Sequence, residues 1–137
     1  MSDIGHFTFP ENTSHESFGM PHMYVLVISK ELSFRRLVVA NLVIRGYLAV
    51  GVANVEEARR LVENVKPKLV VLSKAGRVSD GEMRLLREVE MLAMVPLIVI
   101  SAETPDAEMM RRWDIDDHLL PLDVQDMVEK MSVWLTA

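Results

Sequence analysis

Leu61-Val62-Glu63-Asn64-Val65-Lys66-Pro67-Lys68-Leu69-Val70-Val71-Leu72 decides the fold. A helical period running over residues 55–65 stops at Lys66-Pro67, because proline lacks the N–H a helix would need and clashes with the preceding turn. Four apolar residues, 69–72, follow without a polar partner between them, which is the mark of a strand covered on both faces. A helix leading straight into a doubly buried strand is half of a βαβ unit.

The same alternation extends in both directions. Strands are predicted over residues 24–28, 47–52, 69–72, 96–101 and 118–120, and helices over 33–45, 55–65, 82–92, 106–113 and 124–135. Asn54 is suited to cap the second helix, with Glu57 three residues on to complete a capping box, and Asp123 is suited to cap the last. Gly46 allows the first helix to close in a left-handed residue. Residues 1–22 carry Gly5, Pro10, Gly19 and Pro21 with no sustained period, and are read as a flexible tail before one domain over 23–137. The tail histidines His6, His15 and His22 match no metal-ligand spacing.

Composition narrows the function. The chain has 137 residues, half of them apolar, a formal charge of −5 and no cysteine. One domain with a buried core is expected. The acidic balance and the lack of a basic stripe argue against nucleic-acid binding. The absence of cysteine removes disulfides, thiolate metal sites and cysteine catalysis together. No apolar run approaches the ~20 residues needed to span a bilayer, and no leader pattern opens the chain, so no membrane association and a cytoplasmic location are expected.

Laid out in this order, the chain resembles the receiver (CheY-like response-regulator) domain of bacterial two-component signalling. The resemblance rests on Arg35-Arg36-Leu37 through Arg45-Gly46-Tyr47, on Asn54-Val55-Glu56-Glu57-Ala58, on Lys66 through Leu72, on Ser79-Asp80-Gly81, on residues 96–102, and on Asp116-Asp117-His118-Leu119. It implies an α/β, flavodoxin-like (βα)5 fold: a doubly wound five-stranded parallel sheet of order 2-1-3-4-5 with a shortened fourth helix. The family's chemistry uses an acidic pair and an acceptor aspartate around Mg²⁺, with a lysine after the fifth strand. At the matching positions this chain has Ser29 and Lys30 for the acidic pair and Ser73 for the acceptor, and Leu119-Leu120-Pro121 supplies no lysine; only Ser101 persists. A hydroxyl without a base is a poor nucleophile, and an ammonium opposes a metal cation. The resemblance therefore implies a degenerate pseudo-receiver with no cofactor, no bound metal and no enzymatic activity. Asp80 is expected to form a turn or cap the third helix.

Function then falls to a surface. With Phe34, Leu37, Val38 and Leu42 set against the sheet, Leu32, Val39, Val43 and Ile44 form a second apolar face on the first helix. Met109, Met110 and Trp113 crowd the short fourth helix. Both regions are candidate interfaces for a signalling protein or a second copy of the chain as a homodimer. Alternatively Phe7, Phe9 and Phe18 of the tail cover the first helix. His118, at the position of the family's switch aromatic, is a further candidate through its titration near neutral pH. A second function class is an anion or small-molecule sensor using the crevice at the strand C-termini, lined by Ser29, Lys30, Ser73, Lys74 and Ser101.

Overall fold

The computed structural model describes residues 24–136. The tail over 1–22, with its histidines and phenylalanines, lies outside the described residues. Five parallel strands, β1 (Val25–Ser29), β2 (Ala49–Val52), β3 (Leu69–Lys74), β4 (Leu97–Ser101) and β5 (Asp117–Leu119), form one sheet in the order β2-β1-β3-β4-β5. Successive side chains alternate across it. Leu26, Ile28, Val70, Leu72 and Val99 enter one core, and Val25, Val27, Val71, Ile98 and Ile100 enter the other. This is why the strands read as continuous apolar runs.

Five α-helices cover the faces: α1 (Leu32–Ile44), α2 (Val55–Leu61), α3 (Asp80–Arg87), α4 (Ala107–Arg112) and α5 (Val124–Thr136). Residues of α1 and α5 pack into the second core, and residues of α2, α3 and α4 into the first. The expected signals at the helix ends are present. Gly46 has φ +95°, and the N–H groups of Gly46 and Tyr47 return to the carbonyls of Val43 and Leu42, the two-bond closure that a left-handed residue permits. Asn54 accepts the Glu57 N–H at 2.9 Å, while the Glu57 carboxylate takes the N–H of Ala53, one residue earlier than in a standard capping box. Asp123 accepts the Gln125 N–H at 2.9 Å.

Three elements depart from expectation. The second helix ends at Leu61 rather than 65, and the Val65 carbonyl is taken by the Tyr24 hydroxyl at 2.7 Å. The third starts at Asp80 and ends at Arg87; an extended Val89, turned inward, separates it from a single 3₁₀ turn, Glu90–Leu92. On α1 the buried face is rotated from the predicted one. Val38 and Leu42 are buried and Phe34 half-buried, as read from the sequence, but Leu37 is 48% exposed and Val39 is half-buried against the core. The cause lies on β2. A Cβ at Gly51 would stand 2.7 Å from Arg35 Cγ, so the glycine leaves room for the aliphatic stem of Arg35, whose guanidinium donates to the Ser29 carbonyl at 2.7 Å. Arg35 and Val39 occupy the place assigned to Leu37.

Candidate functional site

The C-terminal ends of β1 and β3 lie side by side, and the strand register sets Ser29 opposite Ser73. Beyond them opens a cavity of about 710 Å³ between α2 and α3, walled by Val55 and Arg59 on one side and by Glu82, Leu85 and Val89 on the other, with Lys30 and Lys74 at the strand tips. The structure thus brings together Ser29, Lys30, Ser73 and Lys74. Ser101 is not on this wall; its hydroxyl donates to the Glu103 carbonyl at 2.7 Å and lies 3.0 Å from His118 Nε2. His118 Nε2 is also 3.0 Å from the Ser101 carbonyl, so this nitrogen carries the proton and donates.

The electrostatics of the cavity are balanced. Lys30, Arg59 and Lys74 face Glu56, Glu82 and Glu88. Arg59 is paired with Glu56. Lys74 Nζ stands 3.6 Å from Glu82 Oε1, an ion-pair separation too long for a hydrogen bond, and Oε1 is shielded from solvent with no hydrogen-bond partner among the described residues. The hydroxyls of Ser29 and Ser73 and the Lys30 ammonium make no hydrogen bond to another described residue. Among the described residues no three His, Cys, Asp or Glu side chains group to hold a metal ion.

Asp80 neither caps α3 nor faces the cavity. Ser79 caps the helix, accepting the Glu82 N–H at 3.2 Å. The Asp80 carboxylate instead accepts the Trp113 indole N–H at 2.6 Å and the Arg112 guanidinium at 2.9 Å, and these two partners hold it below the usual aspartate range. Sequence reasoning also missed Arg87. Its guanidinium donates to the carbonyls of Trp113 (2.9 Å), Asp114 (2.7 Å), Leu92 (2.9 Å), Ala93 (3.2 Å) and Val95 (3.2 Å), tying the end of α4 to the chain after α3. Asp114, at φ +53°, closes α4 in the left-handed region. One of two arginines in an amphipathic helix, Arg87 carries no sequence signal for such a role.

Of the surface residues predicted, Leu32, Val43 and Ile44 are exposed on α1, Ile44 to 79%, and Leu37 joins them. Met109, Met110 and Trp113 are half-buried and pack against the first core. No helix among the described residues is long and apolar enough to cross a membrane.

No family model and no curated protein matches the chain. Solved structures do. A response regulator from Thermotoga maritima aligns with TM-score 0.69 at 19% identity, over 83% of this chain and 98% of that one. The chemotaxis response regulator CheY4 of Vibrio cholerae aligns with TM-score 0.67 at 16% identity, over 81% and 97%. An orphan response regulator of H. pylori gives 0.66 at 18%, over 82% and 96%. The fold is that of CheY-like receiver domains. At these identities the likeness speaks for architecture: the flavodoxin-like sheet of order 2-1-3-4-5, with the cavity where such sheets place their ligands.

Proposed function

We propose that this receiver-fold domain acts in bacterial two-component signalling as a pseudo-receiver, binding a signalling protein or a second copy of itself without being phosphorylated and without acting as an enzyme. The observation that carries the reading is the pair Ser29 and Ser73, opposite each other at the strand ends where the receiver resemblance implies carboxylates. The donor set does not fit the Mg²⁺ site that the resemblance implies. Mg²⁺ requires hard, anionic oxygen ligands in near-octahedral array, and this position offers two neutral hydroxyls with the Lys30 ammonium beside them. The one shielded carboxylate on the cavity wall, Glu82, is paired with Lys74.

With that chemistry gone, the surface that distinguishes the domain is α1. Leu32, Leu37, Val43 and Ile44 stand exposed on a helix whose other side is already packed, and rows of this kind favour association. The α4 region contributes less to such a surface, because its bulky side chains pack partly on the core. Light scattering over a concentration series, with and without Mg²⁺ and a small phosphodonor, tests the reading. The expected result is an assembly, with itself or with a captured signalling partner, that Ile44→Asp weakens and the phosphodonor leaves unchanged. Assembly that appears only with the phosphodonor would overturn it.

A further inference from the structure

The outer sides of α2, α4 and α5 carry ion pairs, Glu56 with Arg59, Glu108 with Arg112 and Asp126 with Lys130. The outer side of α1 is built differently. The helix has no acidic residue, and along its outward face run four exposed residues, Ser33, Leu37, Ala40 and Ile44, none of them charged. Their spacing of four, three and four is the a/d repeat by which one helix lies along another. Covering this seam takes no charge out of water, as covering the other helices would.

The seam is also its own complement. Its positions are symmetric about a point between residues 38 and 39, so a twofold axis there sets Leu37 against Ala40 of the other copy and Ile44 against Ser33 of the other copy. A bulky side chain then faces a small one at every level. A parallel pair would set Leu37 on Leu37 and Ala40 on Ala40, crowding one level and leaving a gap at the next. The helix ends agree with the antiparallel choice. Glu31 immediately before α1 and Arg45 immediately after it are both exposed, and the axis brings the acid of one copy level with the base of the other, where a parallel pair would stack like charges. We propose that α1 pairs antiparallel with α1 of a second copy of this chain along Ser33, Leu37, Ala40 and Ile44. This rests on the reading of α1 as the interface and names what covers it. The thirteen residues of α1 span about 20 Å, so a contact confined to them falls short of the roughly 1,200 Å² of a stable complex, and the dimer is a weak one that forms as concentration rises.

Single cysteines placed in the full chain, which has none of its own, test the pairing under mild oxidation. Ala40→Cys should give a disulfide-linked dimer, because residue 40 lies next to the axis and meets its own counterpart within the reach of a disulfide, about 6 Å between Cα atoms. Ser33→Cys and Ile44→Cys should each stay unlinked alone, since the axis separates either from its counterpart by about 16 Å along the seam, and should link to one another when mixed. By light scattering without oxidant, Ala40→Glu, an exposed substitution that brings like charges together at the axis, should weaken the dimer at least tenfold. Ser33→Cys linking as readily as Ala40→Cys would mean a parallel pair and overturn the proposal. A native chain that is monomeric at every concentration would overturn it too, as would an assembly that Ala40→Glu leaves intact. The broader reading of α1 fails separately: a signalling partner captured by the native chain and lost with Ile44→Asp would preserve that reading even where the pairing of two copies falls.

Discussion

Asp80 shows how a residue read for one task performs another. Next to Gly81 and a helical period it has the profile of a turn or cap residue, yet Ser79 takes the cap and Asp80 reaches to α4. Its pKa is depressed first by the Trp113 indole N–H and then by the Arg112 guanidinium. A depressed carboxylate contributes stability that is fully present above the unfolded aspartate value of about 3.9 and is lost as pH falls through the lower folded value. Asp80→Asn should therefore flatten the acid limb of stability against pH below about 4, and Trp113 fluorescence in urea titrations at each pH reads it. An acid limb identical to that of the native chain would show that the contact carries no linkage. Arg87 acts through more partners. Burial lowers its pKa, with Asp114 and Asp116 opposing, and it remains a cation because arginine titrates far above neutrality. Arg87→Ala leaves carbonyls of Ala93, Val95 and Trp113 without their donor and should cost about 3 kcal/mol in urea denaturation. A cost under about 1 kcal/mol, the level of an ordinary surface change, would contradict the role assigned to it.

At the scale of elements, the strands were legible because both faces of the sheet are covered, so polarity could not interrupt the runs, while their order came only from the resemblance to receivers. Helix ends were legible where a dedicated residue sits, at Gly46, Asn54 and Asp123. The rotation of α1 was not legible, since hydrophobic periodicity ranks Leu37 above Arg35 and contains nothing about the facing strand. It is the missing side chain at Gly51 that admits the arginine stem. The consequence separates two substitutions that the sequence treats alike. Val39→Asp places a charge against the second core and should unfold the domain or cost several kcal/mol. Ile44→Asp, on the exposed side, should change stability by no more than about 0.5 kcal/mol. Thermal unfolding of the pair checks this, and equal losses would mean that α1 is buried on both sides within one chain.

For the whole molecule, the fold was carried by the order of motifs, and the alignments with receiver structures at 16–19% identity agree on that architecture. The candidate site was legible in part. Ser29, Lys30, Ser73 and Lys74 could be placed together because parallel strands end on one edge. Glu82 and Leu85 could not, since only the placement of α3 across the cavity from α2 turns them to the same space. Ser101 was assigned to that edge correctly by strand, but its hydroxyl is engaged by Glu103 and His118.

The central claim is that a domain with receiver architecture works without phosphoryl chemistry. Its most direct test is the intact mass of the full chain after incubation with Mg²⁺ and a small phosphodonor, beside a phosphorylatable receiver as positive control. The account predicts an unchanged mass, because no described residue hydrogen-bonds to the Ser73 hydroxyl to activate it and the Lys30 ammonium would oppose a metal cation. A stoichiometric phosphoryl adduct on the chain would contradict it.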